Sequence, residues 1–262
     1  MAINTVTSIP YYSSEHADDV MVVTAFGEAS GEIAVTLEDL LTWSRGNYDS
    51  LMEHVGDNIS LIPRSNGTES QTAWDMRYAA SKDHSVLWGL APEELAPAIR
   101  DAHLVGVRAA LEYMAANAVV ARVQINNVRY AKHIAPLLVA VEHSTNRFDF
   151  PHLHTHALIF RDGLDPNDEK LRAIHSPWLY RHFAASRAIQ RAVSRYELTT
   201  TLPGLQFELD SDGDTSEFRI TAITRRFRNL FSSRQRVLQA EVEALGGSPA
   251  EMADLKAHNV SG

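Results

Sequence analysis

The sequence predicts an α+β fold with a central antiparallel β-sheet, flanking helices and a helical C-terminal part. Apolar or alternating runs of strand length occupy 118–130, 136–143 and 152–160, and long amphipathic patterns typical of helices occupy 92–117 and 177–196. These segments do not alternate in the regular strand-helix order of a parallel sheet. With 262 residues, of which 45% are hydrophobic, the chain is long enough to bury a substantial core.

The other predicted elements are, in chain order, a short helix over 35–44, a polar loop over 60–72, a strand over 74–78, a hairpin over 204–221 and a last helix over 224–245. Thr36 is a candidate cap of the first helix, and Pro92 is expected in the first turn of the helix over 92–117. The hairpin is expected to turn at Ser211-Asp212-Gly213-Asp214.

We expect a single domain over residues 1–246, followed by a short, partly ordered tail over 247–262 that begins at a glycine pair. No apolar run reaches the ~18–20 residues of a membrane span, and the N-terminus lacks the order of a signal peptide. The sequence therefore predicts a cytoplasmic protein without membrane insertion.

The net charge of −9 argues at first against a nucleic-acid partner, because phosphate binding needs a positive surface. The acidity is local, however. Residues 1–70 hold eleven acidic and two basic side chains, and the remainder is balanced at 22 of each. Arginines cluster in that remainder, at 181–195 and 225–228.

Histidines give the strongest chemical signal. His154 and His156 are two residues apart, so on a strand both side chains lie on one face. His143 ends the preceding apolar run and reaches the same place if the two strands pair antiparallel. His152 lies on the same face, at the start of the strand. The alternative is a histidine-rich surface loop, but the flanking residues are apolar on both faces, and buried histidines need partners.

Three neutral imidazoles leave coordination positions open for water or substrate, as in a catalytic metal site. They favour Zn, Mn, Co, Ni or Cu over Ca. The chain has no cysteine, so any metal must be held by His, Asp or Glu. His-x-His also occurs in metallo-β-lactamase-like and cupin sites. The former need Asp-His directly after the pair and the latter a nearby Glu, whereas Ala157-Leu158-Ile159-Phe160 follows here.

The run His143-Ser-Thr-Asn-Arg147, followed by Asp149-Phe-Pro-His-Leu-His154-Thr-His156, resembles the three-histidine motif of conjugative relaxases of the TrwC/TraI (MobF) class, which are HUH-type endonucleases. The family pattern is roughly His-x-Thr-Ser-Arg, then Asp-Pro-Gln/His-Leu-His-Thr-His. A second block, Asp75-Met-Arg-Tyr-Ala-Ala-Ser-Lys82-Asp-His-Ser85-Val-Leu-Trp88, resembles the family's Asp-Leu-Thr-Phe-Ser-Ala-Pro-Lys-Ser-Val-Ser-Val-Leu-Trp. Tyr11-Tyr12, followed by Ala17-Asp18-Asp19, resembles the N-terminal tyrosine pair, and the likeness covers most of the chain.

The resemblance implies a DNA nickase and strand transferase that forms a 5′-phosphotyrosine adduct at a plasmid transfer origin. It implies a divalent ion, Mg²⁺ or Mn²⁺ with Zn²⁺ or Ni²⁺ as further options, held by His143, His154 and His156. Tyr11 is then the nucleophile and Tyr12 the second candidate, while Asp75 orients a ligand histidine or assists deprotonation of the tyrosine.

The resemblance also implies partners: single-stranded DNA at the origin, relaxosome accessory proteins and the coupling protein of a type IV secretion system. Candidate DNA contacts are Lys82, Arg147, Arg181, Arg187, Arg225 and Arg228. The helicase region that follows the relaxase domain in large members has no counterpart in these 262 residues.

The chain departs from the family pattern at several positions. Val20-Met21 stand near the place of a second tyrosine pair, and Ser81 and Asp83-His84 replace residues of the Pro-Lys-Ser-Val-Ser segment. Three alternatives therefore remain: a relaxase-like module that binds DNA without cutting it, an HUH rolling-circle replication initiator or transposase, and an unrelated histidine-metal hydrolase.

Overall fold

A computed structural model of the chain describes residues 3–6, 19–25, 73–146, 149–168, 170–209 and 218–231. Its strands are β1 (Ile3–Val6), β2 (Asp19–Ala25), β3 (Ala73–Ala79), β4 (Val120–Ile125), β5 (Val128–His133), β6 (Ala135–Thr145), β7 (Pro151–Asp165), β8 (Lys170–Ala173), β9 (Phe207–Leu209) and β10 (Phe218–Ile220). Its helices are α1 (Lys82–Leu90), α2 (Ala96–Asn117), α3 (Pro177–Thr201) and α4 (Arg225–Leu230).

The central sheet confirms the predicted fold class. Its strands lie in the order β1-β3-β7-β6-β2, and β8 pairs with the far end of β7. Every pair in it is antiparallel. The two longest strands, β6 and β7, form its centre, which is the pairing on which the histidine argument depended.

The two long helices, α2 and α3, pack against one face of this sheet. Alternate residues of β3 and β7, including Met76, Tyr78, Ala157 and Ile159, form one core cluster with α2 residues such as Leu111. Because strand side chains alternate, the other residues of the same strands project to the opposite face. The histidines lie on that second face.

Helix α1 is an element that the sequence reasoning missed. Ser81 caps it, since its Oγ accepts a hydrogen bond from the His84 backbone N–H at 3.1 Å. The buried Asp83 carboxylate accepts from the Ile220 N–H at 2.9 Å and pairs with Arg228 Nε at 2.6 Å. Tertiary contacts to β10 and α4 therefore hold this helix, and its own hydrophobic pattern is weak.

Two predictions about boundaries were wrong. The run over 118–130 is two strands, because Asn126 and Asn127 take positive φ angles of 49° and 65° and turn the chain into the separate β4–β5 hairpin. The helix predicted from Pro92 begins at Ala96. The Pro92 carbonyl instead accepts from the backbone N–H groups of Leu95 and Ala96 in the preceding turn.

The other elements follow the predictions. The strand over 74–78 is β3, the runs 136–143 and 152–160 are the inner parts of β6 and β7, and the helix over 177–196 continues to Thr201. β9 and β10 pair antiparallel, as expected for the hairpin. The elements predicted over 35–44 and 60–72, the turn at 211–214 and the part of the last helix beyond 231 lie outside the described residues. No helix in the described ranges is long and apolar enough to cross a membrane.

Candidate functional site

The pairing of β6 with β7 brings the three predicted histidines together. His143 lies directly opposite His154, and His156 is two residues further along the same strand. Their ring centroids are 5.1 Å apart for His143 and His154, 5.3 Å for His143 and His156, and 5.3 Å for His154 and His156. All three side chains are buried. The backbone register thus gathers three imidazoles on one face of the sheet.

Hydrogen bonds fix the tautomers of two of these rings. His156 Nδ1–H donates to both carboxylate oxygens of Asp75, at 3.0 and 2.9 Å. His154 Nδ1–H donates to the backbone carbonyl of His152 at 2.8 Å. Since neither a carboxylate nor a carbonyl can donate, Nδ1 carries the proton and Nε2 keeps its lone pair. Both rings therefore present the nitrogen that a metal ion needs.

Burial also keeps His154 and His152 neutral. Burial is the main cause that lowers the pKa of His154 to about 3; the hydrogen bond to the His152 carbonyl opposes this shift and the neighbouring histidines add to it. Burial likewise lowers the pKa of His152 to about 4, with further contributions from Arg77 and Lys82. Neutral imidazole is the form that ligates metals.

The donor set fits a divalent ion, although the rings are not yet in coordination geometry. Around an ion at ~2.1 Å from each nitrogen, three tetrahedrally placed imidazoles have centroids ~5 Å apart, close to the spacing here. The planes of His143 and His154 lie at 19° to each other. No group of three His, Asp or Glu residues in the described ranges forms a complete metal site as the side chains stand. Binding therefore requires the rings to adjust so that their nitrogens converge on the ion.

Asp75 lies in the middle of β3, buried, rather than in an exposed turn. Its strand neighbour on the same face is Arg77, which is exposed and lies directly opposite His156 in the β3–β7 register. His152 stacks on His154 at 4.6 Å between centroids. A carboxylate, a guanidinium and a fourth imidazole thus adjoin the three histidines. The alternation of β3 places Arg77 beside Asp75, a signal that sequence reasoning did not use.

A second buried histidine pair supports the strand from the helix side. His103 on α2 lies within hydrogen-bond distance of Thr155, Nε2 to Oγ1 3.1 Å, and Thr155 stands between His154 and His156. His84 on α1 donates from Nε2 to the Ile99 carbonyl at 2.8 Å. The sequence reasoning missed this pair, although a polar His103 within the apolar stripe of a predicted helix is a recognisable signal.

The predicted DNA-contact residues separate into two groups. Lys82 Nζ donates to the Phe231 carbonyl at 2.6 Å, and Arg228 is paired with Asp83, so both hold α1 to α4. Arg225 is exposed near the start of α4, and Arg181 is exposed on α3 with its guanidinium 6.0 Å from the Trp178 ring centroid. Arg187 is half-buried on α3. Tyr11, Tyr12 and Arg147 lie outside the described residues.

Solved structures of TrwC share this fold. The chain is similar to the metal-bound structure of the conjugative relaxase TrwC in complex with oriT DNA, with a TM-score of 0.72 and 21% identity over 95% of this chain and 84% of that one. The metal-free form of that complex matches with a TM-score of 0.70 and 20% identity over the same shares. A TrwC complex with a 27-mer DNA comprising the recognition hairpin and the cleavage site matches with a TM-score of 0.72 and 21% identity over 95% and 84%.

No curated protein matches the sequence. The family model of the TrwC relaxase matches residues 5–260, which is nearly the whole chain. Residues 5–260 include all the histidines of the site and the predicted tyrosine pair. The chain therefore belongs to the TrwC relaxase family and is a DNA relaxase, a tyrosine transesterase.

Proposed function

We propose that this chain is a metal-dependent, site- and strand-specific DNA nickase and strand transferase that acts at a plasmid transfer origin. One observation carries the proposal: in a chain of the TrwC relaxase family, three buried imidazoles meet on adjacent strands, and a carboxylate orients one of them. A site of this kind suits phosphoryl transfer, in which charge develops on phosphate oxygens. Family membership does not favour a non-cutting module, a replication initiator or an unrelated hydrolase.

His143, His154 and His156 are the ligands in this proposal, and Asp75 fixes the ring of His156. Held by these histidines, a divalent ion would supply Lewis-acid chemistry, polarising the non-bridging oxygens of the scissile phosphate and stabilising the charge of the transition state. The ion is Mg²⁺ or Mn²⁺, with Zn²⁺ or Ni²⁺ as further options that imidazole ligands also suit. The similar TrwC complex solved in a metal-bound form supports a metal-dependent reaction.

Tyr11 is the proposed nucleophile and Tyr12 the second candidate. The phenolic oxygen loses its proton and forms a bond to phosphorus, the bond from phosphorus to the 3′ oxygen breaks, and that oxygen takes up a proton as a 3′-hydroxyl. The 5′ end of the strand stays covalently attached to the tyrosine, and the reverse reaction rejoins it. Asp75 is also a candidate to assist removal of the tyrosine proton.

The proposed partners are single-stranded DNA at the origin, relaxosome accessory proteins and a coupling protein of type IV secretion, in the cytoplasm. Among the basic residues, Arg181, Arg187 and Arg225 are proposed phosphate contacts together with Arg147. Contact of DNA with Lys82 and Arg228 stays a prediction, and both already have partners within the protein. A single domain over 1–246 with a tail over 247–262 also stays a prediction.

The test is a denaturing gel after incubation with single-stranded oligonucleotides from a candidate origin and Mn²⁺ or Mg²⁺. We expect a protein band shifted by one oligonucleotide arm, lost in Tyr11→Phe and retained in Tyr130→Phe, a matched exposed tyrosine on the β4–β5 hairpin. Tight binding to the correct origin without an adduct would show a binding module instead.

The ligand assignment has its own test. We expect His154→Ala to abolish stoichiometric uptake of the metal, whereas His133→Ala, an exposed histidine at the end of β5, leaves it intact. Metal uptake that persists in His154→Ala shows that these three histidines are not the ligands.

A further inference from the structure

Arg77 occupies a position that fold stability does not explain. It lies near the middle of β3, directly opposite His156, on the face of the sheet that carries the three histidines. Its neighbours on that face, Asp75, His154 and His156, are buried, whereas Arg77 is exposed. The side chain therefore stands at the open side of the histidine cluster.

Other arginines on this sheet and its helices are paired with carboxylates: Arg100 with Glu142 at 2.5 Å and Arg172 with Asp165 at 2.6 Å. Within the described ranges, the side chain of Arg77 has no hydrogen bond or ion pair of this kind. Its charge instead acts on the imidazole of His152, which stacks on His154. A positive group beside neutral imidazoles repels a cation bound there, and an anion placed between the two relieves that repulsion.

The residue at this position also differs from the family pattern that the sequence resembles. In the family pattern that matches Asp75-Met-Arg-Tyr, the third residue is threonine, which carries no charge. A planar guanidinium presents paired donors that match two phosphate oxygens, which threonine cannot do. The replacement adds an anion-binding group at the edge of the cluster without altering Asp75 or the histidines.

We propose that Arg77 binds a backbone phosphate of the single-stranded DNA at the edge of the histidine cluster, as a binding and positioning residue of this chain. The inference rests on the proposed function, since it takes the occupant of this face to be a DNA strand. Its geometric basis is the register with His156, the exposure of the side chain and the absence of an assigned carboxylate among the described residues. The bound phosphate either is the scissile one or lies next to it.

The test measures the salt dependence of DNA binding without metal. A fluorescein-labelled 15-mer of dT is titrated with the protein in EDTA, and anisotropy gives the affinity from about 50 to 300 mM NaCl. Each phosphate contact to a single strand contributes about 0.7 to the slope of log K against log salt. We expect Arg77→Gln to reduce the slope by about 0.7 and to weaken binding about tenfold at low salt. Arg77→Lys should keep the slope and lose part of the affinity, because lysine retains the positive charge but lacks the paired N–H donors of the planar guanidinium.

The matched control is Arg108→Gln, which removes the same charge from an exposed position on α2, at the helix-covered face of the sheet. It should leave the slope unchanged. If the slope of log K against log salt is the same for Arg77→Gln as for Arg108→Gln, Arg77 does not bind phosphate. That result leaves the proposed nickase function, which the gel tests separately, unaffected. Failure of the wild-type protein to bind the dT oligonucleotide overturns the role of Arg77 as a phosphate contact, whereas only the gel test with origin oligonucleotides decides the nickase. Circular dichroism melts confirm that the variants are folded.

Discussion

Asp75 is the residue whose replacement tests the site most directly. Its two carboxylate oxygens lie 3.0 and 2.9 Å from His156 Nδ1, and both side chains are buried, with Asp75 4% and His156 6% exposed. Water therefore substitutes poorly for the carboxylate. Removing it frees the ring to change tautomer and to rotate, so that Nε2 no longer faces the ion in every molecule.

The magnitude follows from that geometry. Carboxylates that orient a metal-bound histidine typically contribute 10–100-fold to metal affinity, which is about 1.4–2.7 kcal/mol. Asp75→Asn keeps an acceptor oxygen but loses the negative charge, so it should lie near the lower end of this range. Asp75→Ala loses both and should lie near the upper end. The expected order of affinity is wild type, then Asn, then Ala.

Isothermal titration with Mn²⁺ measures these affinities on protein freed of metal with EDTA. Asp101→Asn, which removes a carboxylate from an exposed position on α2, serves as the matched control and should bind as the wild type does. If both Asp75 variants fold and bind Mn²⁺ within about twofold of the wild type, the carboxylate does not orient a ligand and the argument is refuted.

Three further predictions concern stability. Gly106→Ala should lower the free energy of unfolding, measured by urea denaturation, by ~1–3 kcal/mol, because an added Cβ would lie 2.1 Å from Ser194 Oγ. An unchanged free energy of unfolding would contradict the close approach of α2 and α3 at this position. Arg100→Gln should lower the free energy of unfolding by ~1–3 kcal/mol, because the buried Glu142 loses its bidentate hydrogen bonds to the partly exposed Arg100; an unchanged calorimetric melting temperature contradicts this ion pair. Burial lowers the pKa of His84 to about 4, below its unfolded value of ~6.5. The neutral ring therefore leaves the folded state fully stable above pH ~6.5. As the pH falls from there towards 4, the free energy of unfolding decreases by roughly 1 kcal/mol per pH unit. In EDTA, His84→Gln should therefore show a shallower loss of stability between pH 6.5 and 4.5 than wild type, and an equal slope contradicts neutral burial.

Local patterns predicted most of the central sheet but not the limits of its elements. The alternation over 74–78 and the apolar runs ending at His143 and beginning at His152 are properties of the strands themselves, and the structure confirms them as β3, β6 and β7. The split of 118–130 depends on two consecutive asparagines in positive φ, which the apolar residues before them concealed. Helix α1 is held by Asp83 contacts to β10 and α4, so its own sequence carries little signal.

The candidate site divides in the same way. The two-residue spacing of His154 and His156 was sufficient to predict that both lie on one face, whereas His143 joins them through the pairing of β6 with β7. The positions of Asp75 and Arg77 depended on strand register. The pairing of β3 with β7 brings the Asp75 carboxylate to His156 and places Arg77 directly opposite His156. The packing of α1 against α4 made Lys82 a contact of the Phe231 carbonyl, which no local pattern shows.

By itself, the sequence predicted a candidate all-histidine donor set, the strand alternation and the family, because these depend on residue type and on spacing along one segment. Tertiary structure decided which segments meet: the antiparallel register of β6 and β7, the carboxylate beside His156 and the burial that lowers the pKa of His154. Those features join residues far apart in the chain, such as Asp75 and His156. Their contact depends on the packing of the whole sheet against its helices, which no single segment encodes.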